Sequence, residues 1–388
     1  MPELYKGFAQ PGQEKELLRF LDKVFTRLGV RVVPYFLPLL PKLYKNKYKP
    51  CANNLVIRDE KEFRAAVGLY MLDYICGGDK LLVGGIGNVA VGKKFRGMGY
   101  MKELMAEALE VCKERGADFM VLGGKRQRYN YFGYERVGML HEYKVNTTNL
   151  RHVLGGGDAT GFAIRKLKED DSGFIAQIYT LRQATPVHVE CAQDALYDTL
   201  CSWFAKPYVL LENGRFAGYF VLGKLGNVVE ELRLLEGAKL PQAVSVIFQE
   251  FWRRQFKFVF SPEAREENAF FRMLCEDAEI KTPENYLILD YRHTLEVLMR
   301  EQHSRATFVD GALTLHIKGF TGDENLRIAV EEDQVSVTRT EDAPDCTLAC
   351  LEATRVLFDP VCPERDGLPP LARAWFPVQL YFPNADMV

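Results

Sequence analysis

Two glycines and a run of cations lie where an apolar strand meets an amphipathic helix. In "VAVGKKFRGMGYMKELM" (89–105), the cations from Lys93 to Arg96 precede Gly97 and Gly99. The first backbone N–H groups of a helix have no internal acceptor, and the helix dipole places partial positive charge there. Glycine lets the main chain approach a ligand closely, and arginine can engage two phosphate oxygens at once. This spacing predicts a cradle for a diphosphate.

Alternating strands and helices surround this turn and would position it. A helix is expected at 14–29 and an irregular segment at 34–50, and the helix that opens at Gly99 is expected to end at Gly116. Strands are expected at 54–60, 63–75, 79–92 and 117–124, and 129–138 reads as a short helix running into a last strand. This alternation predicts an α/β (α+β) layer fold.

The pattern of the first half returns later in the chain. Residues 54–72 are echoed by 207–225, where Asn213-Gly214 is a strong hairpin signal, and 85–91 are echoed by 225–232. Beyond that point the second copy has neither the paired glycines nor the cations. We interpret this as a duplicated domain whose second copy has lost the turn.

The pattern of polar and apolar residues changes again from about residue 291. A helix precedes three segments of alternating polarity, which suit an antiparallel sheet with one wet face, and a further strand and helix follow. The tail "AWFPVQLYFPNADMV" is aromatic, whereas a frayed terminus would be polar, so we expect it to pack against the protein.

Composition excludes several kinds of function. A net charge of -2 gives no global attraction to nucleic acid or anionic membranes. Nine cysteines without a CxxC pair and six scattered histidines favour free thiols in a reducing cytoplasm and no metal. The segment "PKLYKNKYKP" (41–50) mixes cations with tyrosines and could contact nucleic acid, but we interpret it as a solvated loop.

The cradle also resembles a known signature. Residues 94–99 ("KFRGMG") are similar to the Q/R-x-x-G-x-G/A motif of the GNAT acetyltransferases, with lysine in first place keeping the positive charge. Farther on, "RYNYFGYERVG" is similar to that family's Y-x-x-x-G-[FY] ending, with Tyr129 four residues before Gly133. The Rossmann and P-loop patterns are absent. The alternative is a glycine-tightened turn in an unrelated α/β domain.

The whole layout resembles the Eis-like (enhanced intracellular survival) acetyltransferases. That resemblance implies tandem GNAT folds followed by a small domain like sterol carrier proteins, with boundaries at 1–150, 151–290 and 291–388. It also implies a ring-like hexamer. We expect a cytoplasmic protein that contacts neither nucleic acid nor membrane.

The resemblance names acetyl-CoA as co-substrate, with no metal. Exposed backbone groups of Val89 and Val91 would pair with the pantetheine amides, and an N–H near Val89 would polarise the thioester carbonyl. The residues implied in cofactor binding are Val89, Ala90, Val91, Lys94, Arg96, Gly97, Met98, Gly99 and Tyr100.

Two residues are expected to move protons. Tyr129 would protonate the departing thiolate, because phenol and thiol have similar acidity; the alternative is that it only packs. In Eis-like enzymes the terminal carboxylate enters the active site, which implies Val388 as base. Phe25 and Asp386 are candidate substrate contacts. Thr26 and Arg27 follow Phe25 where some aminoglycoside-acetylating relatives have an acidic residue, which argues against a polycationic antibiotic as substrate.

The leading hypothesis is transfer of acetyl from acetyl-CoA to a primary amine, either a small polyamine-like molecule or a lysine side chain. Direct attack in a ternary complex is favoured, because no cysteine lies in a recognisable nucleophile setting. A non-enzymatic CoA-sensing or lipid-carrying protein is the alternative. A module for a protein partner, using the aromatic C-terminal region, is the third hypothesis.

Overall fold

The computed structural model describes residues 3–26 and 35–388. The chain forms two compact units, and both are discontinuous in sequence. The first unit contains the described residues up to Gly138, then Pro283–Phe382 and Asp386–Val388; the second contains Met139–Thr282 and Pro383–Ala385. Within the described ranges, no helix is both long enough and apolar enough to cross a membrane.

Strands supply the frame of both units. In chain order they are β1 Tyr5–Phe8, β2 Asn54–Arg58, β3 Phe63–Cys76, β4 Asp79–Val91, β5 Phe119–Leu122, β6 Glu135–Val137, β7 Leu140–Asn146, β8 Phe162–Lys166, β9 Val187–Val189, β10 Lys206–Glu212, β11 Arg215–Leu222, β12 Val228–Leu234, β13 Gln255–Phe260, β14 Asp277–Lys281, β15 Glu284–Ile288, β16 Gly311–Lys318, β17 Asp323–Glu331, β18 Gln334–Arg339 and β19 Cys346–Ala349.

Helices cover the sheets and connect the strands. In chain order they are α1 Glu14–Phe25, α2 Phe36–Leu39, α3 Pro41–Tyr44, α4 Tyr100–Glu114, α5 Arg126–Tyr129, α6 Thr147–Leu154, α7 Ser172–Gln183, α8 Leu196–Leu200, α9 Leu240–Phe251, α10 Arg265–Leu274, α11 Tyr291–Arg305, α12 Cys350–Phe358 and α13 Pro370–Trp375.

The main sheet of the first unit follows the order β1-β2-β3-β4-β5-β15-β6. Strands β4 and β5 are parallel and are joined by α4, which buries Leu104, Met105, Ala108 and Cys112 at helical spacing. Strand β15 lies between β5 and β6, although it is far from both in sequence. The sheet is therefore completed by a strand that follows the long segment of the second unit, Met139–Thr282, in sequence.

The sheet of the second unit repeats this arrangement, with the order β8-β10-β11-β12-β13-β7-β14. Here β12 and β13 are the parallel pair, joined by α9, and β7 takes the place that β15 has in the first unit. Asn213 and Gly214 form the tight turn between β10 and β11, both with positive φ. The two sheets share this strand order, and the duplicated domain itself stays a prediction.

A third sheet, β18-β17-β16-β19, belongs to the first unit. Its strands β16 to β18 are antiparallel and β18 alternates exposed and buried residues, as expected, while β19 joins β16 in parallel. The tail is packed, as predicted, because Phe382, Met387 and Val388 are buried.

Several sequence predictions can be compared with these elements. Helix α1 ends at Phe25, and residues 27–29 of the predicted helix lie outside the described residues, as does the start of the 34–50 segment. The solvated-loop interpretation of 41–50 is wrong for α3, where Leu43 and Tyr44 are buried. All nine cysteines are free thiols, as expected. The predicted division into three domains that are continuous in sequence stays a prediction, since the two observed units are discontinuous.

Candidate functional site

A β-bulge interrupts strand β4 just before the turn. Ala90 pairs with Ala66 and Gly87 pairs with Gly68, so Asn88 and the residue after it lie opposite a single residue of β3. Asn88 has a φ of +36°, an uncommon value for a residue with a side chain. A bulge takes the extra residue out of the ladder. Main-chain groups at 88–89 are thereby available to a ligand.

Strands β4 and β5 separate beside this bulge. Their parallel pairing runs from Val83 to Ile86 on β4, and β5 ends at Leu122, whereas β4 continues to Val91. The two strands therefore pair along one part of β4 and leave the rest of its edge without β5 alongside. Such an edge offers backbone N–H and C=O groups to an extended ligand, as a neighbouring strand would.

The turn that follows has the geometry expected of an anion cradle. Gly97 and Gly99 have φ of +84° and +82°, and a Cβ added at either would meet nothing within 4 Å. Gly99 caps α4 without a side-chain hydrogen bond, so the N-terminal end of this helix is open. The cradle cavity, about 560 Å³, lies against the turn and is lined by Val24, Val89, Val91, Phe95, Arg96, Gly97, Gly99, Tyr100, Met101, Lys102, Arg128 and Phe132.

Arg64, on β3, contacts residues on both sides of this turn. Its guanidinium lies 4.9 Å from the centroid of the Phe95 ring and donates to the Tyr100 hydroxyl at 3.2 Å. The same guanidinium binds the Asp59 carboxylate at 2.7 Å and lowers its pKa. Arg64 thus holds both sides of the turn while the Arg96 side chain stays exposed.

Most of the predicted cofactor residues line the cradle cavity. Val89, Val91, Arg96, Gly97, Gly99 and Tyr100 do so. Ala90 is buried, Met98 is exposed away from the lining, and the ammonium of Lys94 lies 3.5 Å from the Glu62 carboxylate. The structure therefore does not bring Lys94 to the cavity, and the cofactor roles of all these residues stay predictions.

Tyr129 is buried beside the end of β5, with 6 % of its surface exposed. A Cβ at Gly124 would lie 2.6 Å from its ring, so this close approach requires glycine there. Burial raises the pKa of the Tyr129 phenol above its ordinary value, and the Arg128 guanidinium opposes that rise. The phenol is therefore protonated at neutral pH, as an acid must be.

The helix that bears Tyr129 is anchored by buried charge. Arg126, on the same helix, forms a two-point ion pair with Glu135, whose side chain is fully buried. Arg355, on α12, binds the same carboxylate at 2.9 Å. Burial raises the pKa of Glu135, but the two guanidinium groups outweigh it and the pKa is lowered overall. Removing either arginine would leave a buried carboxylate short of its counter-charges.

The chain terminus lies against β4. The carboxyl carbon of Val388 is 3.0 Å from where a Cβ on Gly87 would be, and its Cγ2 is 2.7 Å from the same position on Gly85. A side chain at either position would require the terminal residue to shift. The terminal carboxylate consequently lies next to the bulge at Asn88.

A buried polar network surrounds Asn88. The Tyr44 hydroxyl donates to Asn88 Oδ1 at 2.7 Å, and Asn88 Nδ2 donates to Asn54 Oδ1 at 2.9 Å. Tyr70 lies beside Asn54, and burial raises the pKa of its phenol to about 12. The network is neutral at physiological pH, and it fixes the side chain at the bulge.

The two predicted substrate contacts differ in exposure. Phe25 is partly exposed and packs edge-on against Phe36, whose ring is 5.3 Å from that of Tyr44. Phe25 is thus connected to the network through two aromatic contacts. Asp386 is buried two residues before the terminus. Their contact with a substrate stays a prediction.

Sequence reasoning missed Arg64, Asn88, Arg355 and the other members of the polar network. Their roles depend on which strands become neighbours, and single-sequence patterns do not show this. For Tyr44 the sequence did contain an indication of burial. A tyrosine after "PKL" is compatible with the buried side of a helical turn, and not just with a loop.

One segment of the chain matches a known protein family. Residues 9–137 match the family model described as an acetyltransferase (GNAT) domain. A search among curated protein sequences finds no match.

Solved structures share the fold over nearly the whole chain. A GCN5-related N-acetyltransferase from Anabaena variabilis is similar with a TM-score of 0.68, 15% identity and 98% of both chains covered. One from Kribbella flavida has a TM-score of 0.65, 17% identity and covers 98% of this chain and 97% of its own. Eis1 from Mycobacterium abscessus has a TM-score of 0.64, 15% identity and 98% of both chains covered. At such identity these likenesses show the fold.

Replacing Gly97 by glutamate tests the cradle. The change adds bulk and negative charge where phosphate is expected, so acetyl-CoA should bind at least tenfold more weakly by calorimetry. Gly237→Glu is the matched control, because Gly237 also has φ near +82° and open space around a Cβ. Equal affinity of the Gly97→Glu variant and the wild type would contradict the cradle.

Proposed function

We propose that the chain transfers acetyl from acetyl-CoA directly to a primary amine in a ternary complex, from the premise that residues 9–137 match the model of the GNAT acetyltransferase domain. The observation that supports this most is the terminal carboxylate, placed against Gly87 beside the β4 bulge. A base, an acid and a cofactor cavity then belong to one unit.

The cofactor would enter along the open edge of β4. Its diphosphate would accept hydrogen bonds from the first N–H groups of α4, while its pantetheine amides pair with the main chain of Val89 and Val91. Main-chain N–H groups at the bulge would then stabilise the oxygen that becomes negative when the amine attacks the thioester carbonyl.

Two residues of this chain, Val388 and Tyr129, would transfer protons in the reaction. Gly87 and Val89 are two residues apart, roughly 7 Å along a strand, so the Val388 carboxylate lies within reach of an amine bound near the thioester. It would take the proton from the ammonium, and the neutral amine would attack. As the tetrahedral intermediate collapses, the C–S bond breaks and Tyr129 protonates the leaving thiolate; the nitrogen releases its second proton to solvent, from which the Tyr129 phenolate regains one.

The acceptor is expected to carry a primary ammonium. The terminal carboxylate attracts a cation, and Asp386 is a second carboxylate close to it in sequence. Asn88, which is only partly buried, would contact the uncharged part of the substrate, and its hydrogen bonds with Tyr44 and Asn54 would hold its side chain in place. A small polyamine-like molecule or a lysine side chain meets these requirements.

Finer points of the Eis-like resemblance are carried over as part of this proposal. They are a sterol-carrier-like domain at 291–388, a cytoplasmic location and a homo-hexamer. The likeness to Eis1 of Mycobacterium abscessus over 98% of both chains supports the layout. Light scattering in solution is expected to give six times the 44.3 kDa chain mass, and a monomer would contradict the hexamer.

Moving the terminal carboxylate should stop catalysis without affecting cofactor binding. One glycine added after Val388 shifts the carboxylate by about 3.5 Å, so kcat for amine-dependent thiol release should fall about 100-fold or more. Affinity for acetyl-CoA should be unchanged. The same glycine added before Met1 is the control. Full activity of the extended chain would remove Val388 from the mechanism.

Tyr129→Phe should also lower kcat about 100-fold while acetyl-CoA affinity is retained. The acid works when protonated, and burial raises its pKa above the ordinary tyrosine value, so the decline of the wild-type rate at high pH should begin only above that value. This high-pH limb should be lost in the variant. Tyr208→Phe, which removes a phenol hydroxyl in the second unit, is the control. Equal rates would reduce Tyr129 to a packing residue.

A panel of primary amines tests the function itself by thiol release from acetyl-CoA. Turnover of any amine supports the enzyme. Tight binding of acetyl-CoA with no turnover across diamines, polyamines and lysine peptides would instead favour the non-enzymatic sensor or carrier.

A further inference from the structure

A second cavity, about 210 Å³, lies beside α4 and is mostly apolar. Met105 and Leu109 of α4 form one wall. Three aromatic side chains, Tyr131, Phe132 and Phe320, form much of the rest. We call it the aromatic cavity. All of its lining residues belong to the first unit.

The aromatic cavity adjoins the cradle cavity. Lys102 and Phe132 line both of them. The acyl end of the cofactor is assigned to the β4 bulge, on one side of the cradle. The aromatic cavity extends from the cradle along the flank of α4, one to three turns into the helix. A ligand held at the cradle by its diphosphate can therefore place its other end there.

We propose that the aromatic cavity binds the adenine ring of CoA, with Phe320 of the C-terminal segment as its stacking wall. This assignment rests on the proposed function, because it takes CoA as the ligand of the cradle. Adenine is the planar, apolar-faced part of the cofactor, and nucleobases stack on aromatic side chains whatever their sequence context. The pantetheine arm, with its two amides, suits a strand edge and not an apolar wall.

Phe320 is held in place by Gly133. A Cβ at Gly133 would lie 2.5 Å from Cγ of the Phe320 ring and 2.6 Å from Cδ2, so the ring rests directly on the main chain of that glycine. Phe320 nonetheless keeps 44 % of its surface exposed. A large apolar side chain that is fixed on one face and open on the other is suited to a flat ligand.

Cations border the aromatic cavity on the cradle side. The Lys102 ammonium lies 5.4 Å from the centroid of the Tyr131 ring, and Arg128 lines the cradle cavity nearby. Both can neutralise phosphates attached to the adenosine without entering the apolar part. Charge at the entrance and aromatic surface inside match an adenosine phosphate.

Calorimetry with fragments of the cofactor tests the assignment. The ligands are CoA, adenosine 3′,5′-bisphosphate and 4′-phosphopantetheine, which lacks the adenosine. Phe320→Ala should weaken CoA and the bisphosphate by roughly 5- to 150-fold, the range for loss of one stacking contact. Binding of 4′-phosphopantetheine should stay within about twofold.

Two further variants complete the experiment. Phe320→Leu keeps an apolar side chain on Gly133 and should also weaken the two adenosine ligands. Val361→Ala, at an exposed apolar residue of the same C-terminal segment, should change none of the three affinities. Wild-type CoA affinity in both Phe320 variants, or an equal loss for 4′-phosphopantetheine, would overturn the assignment.

The outcome is separate from that for the proposed function. If the wild-type protein acetylates amines but CoA affinity does not depend on Phe320, the proposed enzymatic function stands and the adenine site is rejected. If the Phe320 variants bind CoA more weakly but the wild-type protein acetylates no amine, the adenine site stands and the proposed enzymatic function is rejected.

Discussion

Strand β4 pairs with β3 to its end but leaves β5 at Ile86, and the site depends on this separation. The bulge at Asn88 accommodates it by adding a residue opposite β3. Parallel strands joined by a helix normally close into a continuous ladder, which would consume the main-chain groups that a ligand needs. Here the edge stays open beside a helix N-terminus, so backbone atoms on two elements can bind one cofactor.

The C-terminal segment contributes to the site at three points. Arg355 neutralises the carboxylate that anchors the Tyr129 helix, Phe320 rests on Gly133, and Val388 lies against β4. Each contact involves either a buried charge or a glycine whose Cβ position lies 3.0 Å or less from an atom of the segment. Such contacts tolerate little displacement, because a lost ion pair or a sub-3 Å overlap is costly. The segment therefore acts as part of the first unit and not as an appendage.

Local patterns could be predicted from the sequence, and long-range pairings could not. The turn at 94–99, helix α4 and the hairpin at Asn213 follow from glycine placement and apolar spacing within short windows. Strand β15 reads as an ordinary strand, but nothing local says that it enters between β5 and β6. The partners of Asn88 and the position of Phe320 likewise depend on contacts between segments that are far apart in sequence. Even Lys94, which fits the motif by charge, turns to Glu62 because a neighbouring carboxylate competes for it.

The position of β15 has a consequence for how the protein is made. Tyr286 pairs with Val121 on one side and Glu135 on the other, so β5 and β6 have no strand between them until this residue leaves the ribosome. At about 5–20 residues per second, synthesis of the intervening chain takes roughly 7 to 30 seconds. During that interval the nascent N-terminal half carries two unsatisfied strand edges, which are prone to incorrect association. A fragment cut at the end of the matched region, residue 137, would keep that gap permanently.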